Sequence, residues 1–110
     1  MKPGIAESDK AQAFRGHPRV PADVMVKIFL GGTALLAKAR DLSMNGLFLQ
    51  DLLDDGRSVL TLEISLPGDD PFVVDCRVRR RTEEGAAVEF VALDWDHIFA
   101  LARYLHPRLP

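Results

Sequence analysis

The chain has 110 residues, 47% hydrophobic and 27% charged, with a formal net charge of −2. That length and balance fit one compact domain and exclude a second. The slight acidity excludes a general electrostatic affinity for DNA, RNA or anionic lipid, so an anionic ligand must be met by a local cluster of arginines.

Residues 1–13 mix Lys2, Pro3, Gly4, Glu7, Ser8, Asp9 and Lys10 with little periodicity and read as a flexible tail ahead of a domain at 14–110. The first residues lack the apolar stretch of a secretion signal, and no apolar run approaches the ~20 residues of a membrane span. The lone Cys76 allows no intramolecular disulfide, so a cytoplasmic location is expected, without membrane insertion.

From Val20 the period becomes two. Val24, Val26, Ile28 and Leu30 alternate with Met25, Lys27 and Phe29, Gly31-Gly32 offers a tight turn, and a second strand runs from about Thr33 to Arg40. A short strand, Leu47-Phe48-Leu49, follows Gly46, and Asp51 to Gly56 reads as a loop. Leu60, Leu62, Ile64 and Leu66 then alternate with polar residues up to the turn Pro67-Gly68-Asp69-Asp70. The same period recurs in Phe72 to Arg79 and in Ala86 to Phe90. Six short strands without helical crossovers predict an all-β fold, an antiparallel meander or Greek key closed into a barrel. One helix is predicted at the end, N-capped by Asp94 and stopped by Pro107, with Trp95, Ile98, Phe99, Ala102 and Leu105 as the stripe that closes one end of the barrel.

No enzyme is read here. His17, His97 and His106 sit in separate segments without metal-ligand spacing, Cys76 falls on the apolar face of its strand, and nothing completes a nucleophile with Ser43 and His17. Two stretches carry information. In Phe14-Arg15-Gly16-His17-Pro18-Arg19, Pro18 argues against a helix, so Arg15 and Arg19 lie on one side of an extended segment. Guanidinium groups so placed fork onto phosphates or the guanine edge, or are simply solvated; the residues alone leave both open. The turn Asp41-Leu42-Ser43-Met44-Asn45-Gly46 is equally ambiguous. Asn-Gly suits a hairpin turn, while Asp41 and Ser43 offer a carboxylate and a hydroxyl to a ligand.

Taken together, Arg-x-x-x-Arg at 15–19 followed by Asp-x-Ser-x-x-Gly at 41–46 resembles the paired signature of PilZ domains, bacterial receptors for cyclic di-GMP. Gly31-Gly32, Gly46-Leu47-Phe48-Leu49, Gly85 to Phe90 and the closing helix are similar to that family as well. The resemblance implies a six-stranded antiparallel β-barrel with a C-terminal helix, binding cyclic di-GMP on its outer surface. Arg15 and Arg19 would hold guanine and phosphate, Asp41 and Ser43 would contact the ligand from the barrel, and Gly46 would shape the turn; Asn45, at a variable position of the family, joins the set. The ligand would order the Arg15–Arg19 segment, and an unidentified effector protein would read the change, because no output domain is present. Phe14, where an arginine favours a stacked ligand pair in the family, points to one ligand per chain unless Arg108 or one of Arg79, Arg80 and Arg81 restores the charge.

Two other readings compete. One is an adaptor of the same fold that does not bind nucleotide and uses Arg77, Arg79, Arg80 and Arg81 on a partner surface. The other, a single-strand nucleic-acid barrel, is disfavoured by the negative net charge and by the 7% aromatic content.

Overall fold

The computed structural model of the protein describes residues 18–51 and 56–109. The expected tail, Phe14, Arg15 and part of the loop after Asp51 lie outside the described residues. Six strands and a helix follow in the predicted order: β1 Val20–Leu30, β2 Thr33–Leu42, β3 Gly46–Gln50, β4 Val59–Ile64, β5 Phe72–Thr82, β6 Gly85–Phe90 and α1 Trp95–Leu105, followed by a 3-10 turn at His106–Arg108.

The neighbour order is β1-β2-β3-β6-β5-β4, closed by antiparallel pairing of β4 with β1. Two three-stranded meanders are thus seamed along β1–β4 and β3–β6, which leaves no free sheet edge. Alternation does the folding work. Val24, Val26, Ile28, Leu47, Leu49, Leu62, Ile64, Val74, Cys76 and Val88 point inward and fill the barrel. The Gly31-Gly32 turn forms as predicted, with Leu30 opposite Thr33 and Gly31 at φ 65°.

Strict period two fails at the bulges, where one strand carries an extra residue and its side chains are re-aimed. In β2, Ala39 and Asp41 pair with Leu49 and Phe48, so Arg40 is inserted. In β5, Val78 and Arg80 pair with Val88 and Ala87, so Arg79 is inserted. The strand predicted to end at Arg79 therefore continues to Thr82.

Asp94 caps α1 as expected, its Oδ1 accepting from the His97 N–H at 3.2 Å. The predicted apolar stripe is corrected in part: Leu105 is buried and Ile98 and Ala102 are half-buried, but Trp95 and Phe99 are not on the core side. The buried face is Ala100, Leu101, Tyr104 and Leu105, whereas Trp95 is 72% and Phe99 53% exposed. The helix is turned by roughly a third of a revolution from the expected orientation. Burial of Leu101 and Leu105 in the barrel's core sets this orientation, and on the same side His97 stacks on the barrel's Phe72 at a centroid distance of 4.5 Å. The buried face joins the barrel's core.

Candidate ligand-binding site

Asp41 and Arg19 are 22 positions apart and meet at the barrel surface, where Arg19 Nη1 donates to Asp41 Oδ1 at 2.7 Å. Both side chains keep contact with solvent, Arg19 46% and Asp41 24% exposed. An exposed pair of this kind is worth about 0–1 kcal/mol, so a ligand can exchange its partners at little cost. Arg15 lies outside the described residues.

Ser43 is fully buried. Its Oγ donates to Asn45 Oδ1 at 2.6 Å and lies 3.3 Å from the Gly46 carbonyl, while the Asn45 N–H donates back to Ser43 Oγ at 3.3 Å. The backbone closes the same loop through Ser43 N–H to the Gly46 carbonyl at 2.9 Å, and Phe90 N–H bonds the Asn45 carbonyl at 2.8 Å. In this arrangement the hydroxyl holds Asn45 in place beneath the surface.

Gly46 is not required by a turn conformation, because neither it nor Asn45 has a positive φ. It is required by packing. A Cβ at Gly46 would lie 2.1 Å from the Val88 carbonyl oxygen of β6, closer than any methyl group can approach. The glycine lets β3 press against β6 directly beneath the Asp41–Asn45 segment.

Register then decides which surface residues meet. Pro21, Asp41, Phe48, Ala87 and Arg80 are successive cross-strand partners around the outer wall. Phe48 is covered from outside by the Arg40 guanidinium, 3.9 Å from the ring centroid. Ala87 is too small to fill its place, and a groove of about 280 Å³ opens there, lined by Arg19, Asn45, Arg79, Arg80, Ala87, Val88 and Glu89. Arg79 pairs with Glu89 at 3.5 Å. Arg80 makes no ion pair or hydrogen bond with another described residue, and Arg81 turns away to donate to the Arg57 carbonyl.

The structure therefore brings Arg19 and Asn45 to one groove, with Asp41 joined to it through Arg19, leaves Ser43 and Gly46 beneath Asn45, and adds Arg79, Arg80 and Glu89. The added residues stood in the sequence as an arginine run. Their signal was the break in alternation after Val78, which marks a bulge. Arg108, the other candidate for extra charge, lies 3.9 Å over the Tyr104 ring and donates to the Tyr104 carbonyl at 2.6 Å.

A larger cleft of about 360 Å³ beside α1 is lined by Asp69, Asp70, Asp96, His97 and Arg103 among others. Its arginine is bound to Asp69 at 2.6 Å, so it offers an anion little. Among the described residues no group of histidine, cysteine and carboxylate side chains could hold a metal ion, and no helix is long and apolar enough to cross a membrane.

These features define a small closed β-barrel whose interior is filled by side chains and whose arginine-lined groove lies on the outer wall. The chain belongs to the PilZ domain family, whose model matches residues 13–106. This is a family of cyclic di-GMP receptors, and its members are regulatory binding domains. Among solved structures, the chain is similar to the Bacillus subtilis inhibitor of motility (MotI/DgrA), with a TM-score of 0.69 and 23% identity over 84% of this chain and 49% of that one. The chain thus spans about half the length of that protein. It is also similar to the PilZ domain of CeSA from a cellulose-synthesizing bacterium, with a TM-score of 0.61 and 18% identity over 81% of this chain and 95% of that one. At these identities the two structures speak for the fold alone. A search of curated proteins by sequence finds no match.

Proposed function

We propose that this chain is a cytoplasmic cyclic di-GMP receptor without catalytic activity, which transmits the level of the messenger to an effector protein. The observation that carries the reading is the meeting of Arg19 with Asp41 at 2.7 Å, which joins the two halves of the family's paired signature at the mouth of an arginine-lined groove. Arg15 and Arg19 supply forked donors to phosphate and guanine, and the Asp41 carboxylate accepts from guanine N–H groups. Ser43 acts through Asn45, which it orients, and Gly46 through the close seam of β3 and β6.

Because Arg19 already rests on the barrel, the ordering effect of the ligand falls on the Arg15 side of the segment. A molecule that touches segment and barrel together favours the joined state by its differential affinity. The exposed pair Trp95 and Phe99, with ring centroids 6.2 Å apart, supports a protein partner as the reader of that state.

Calorimetric titration with cyclic di-GMP tests the assignment. The wild-type chain binds, and Arg15→Ala, Arg19→Ala and Asp41→Ala each lose about 1.5–3 kcal/mol, a ten- to hundredfold weakening. The unfolding midpoints of Arg19→Ala and Asp41→Ala change little, because the surface ion pair they break contributes about 0–1 kcal/mol. Undiminished binding by all three variants would overturn the site.

A further inference from the structure

The groove has two cationic walls, and the paired signature accounts for only one of them. On one side stand Arg19 and Asn45; on the other stand Arg79 and Arg80, with Ala87, Val88 and Glu89 between. The cross-strand row from Asp41 through Phe48 and Ala87 to Arg80 crosses three strand-to-strand steps. At about 4.8 Å per step, the backbone of Asp41, which holds Arg19, is roughly 14 Å from that of Arg80 along the barrel surface. A ligand held only by Arg19 and Asp41 would leave the far wall facing solvent.

Three features make that far wall more than a solvated strand end. The bulge at Val78/Arg80 inserts Arg79, so that two consecutive arginines both reach the groove, where regular alternation would send one of them inward. Glu89 answers the charge of Arg79 at 3.5 Å but leaves Arg80 with no charged or hydrogen-bonding partner among the described residues. Directly opposite Arg80, the strand carries Ala87, which gives a flat floor where a longer side chain would fill the space. An unpaired guanidinium over such a floor can stack on a purine or fork onto a phosphate.

We infer that Arg80 is a ligand-binding residue that holds the second nucleotide of a cyclic dinucleotide while Arg19 and Asp41 hold the first. This rests on the reading of the groove as the cyclic di-GMP site. Arg79, tied to Glu89, positions that wall. The separation of the walls selects a ligand that carries a planar base and a phosphate in each of two halves.

The test is calorimetric titration of the full chain with cyclic di-GMP for wild type, Arg80→Ala, Arg19→Ala and Arg103→Ala, with circular dichroism melts to verify folding. Arg80→Ala is expected to raise Kd at least about tenfold with an unchanged melting midpoint, since the side chain is exposed and unpaired. Arg103→Ala removes the same charge in the helix cleft and is expected to leave Kd within about twofold, which separates a local contact from the effect of net charge. Where wild type binds, Arg19→Ala weakens binding and Arg80→Ala stays within twofold of wild type, this inference falls and the receptor assignment stands. An equal loss in Arg80→Ala and Arg103→Ala also overturns it. Absence of binding by the wild-type chain overturns the receptor assignment together with the inference built on it.

Discussion

The Cys76 thiol lies on the inner side of β5 with no exposed surface. Burial, with a smaller contribution from the Asp75 carboxylate, pushes its pKa up from 9.0 to about 12. A thiol whose folded pKa is raised stays protonated in the native state at pH values where the unfolded chain has lost the proton. Its contribution is therefore complete below about pH 9 and is lost as pH rises toward 12, at about 1.4 kcal/mol per pH unit. Urea unfolding of wild type and Cys76→Val between pH 8 and 11 checks this. The wild-type chain should lose stability faster above pH 9, and parallel curves would refute the assignment. The apolar face of the strand already marked Cys76 as a core residue in the sequence; the role of Gly46 was not legible, because the atom that forbids a side chain there belongs to Val88, 42 positions away.

Among the elements, α1 shows how a correct helix can carry an incorrect face. Its N-cap, its length and its end near Pro107 all follow from local chemistry. Which side is buried depends on the barrel it meets, and there Leu101 is fully buried while Phe99 is 53% exposed. Replacing Leu101 by alanine should cost about 2–5 kcal/mol through lost burial and the cavity left behind. Phe99→Ala should cost less than about 1 kcal/mol. Chemical denaturation of the two variants measures the difference, and comparable losses would contradict the observed orientation of the helix. The bulges of β2 and β5 make the same point for strands. Each places an arginine, Arg40 or Arg79, where simple alternation would not.

For the whole molecule, closure links the arginine-lined groove to both meanders, since Arg19 and Asn45 flank strands of one and Ala87 and Arg80 come from the other. On the proposed reading, a ligand across these walls would bridge the β3–β6 seam and also engage Arg15. Backbone hydrogen exchange with and without cyclic di-GMP is the matching measurement. Residues 14–17 and the Asp41–Gly46 turn should gain protection on binding, while β4, on the other seam, should change little. Equal protection at residues 14–17 in the two states would refute the ordering mechanism.

The sequence by itself determined the strands, the Gly31-Gly32 turn, the cap of α1 and the order of the arginine pair and the Asp-x-Ser-x-x-Gly turn. Each of these depends on residues within a few positions of one another, where alternation, turn chemistry and capping act. Only the tertiary structure decided that Arg19 pairs with Asp41, that Gly46 serves the seam with Val88, that α1 presents Leu101 to the core, and that Arg80 faces the same groove as Arg19. Those outcomes follow from cross-strand register and barrel closure. Register is set by the best simultaneous burial of inward side chains from all six strands, a condition that no single segment contains.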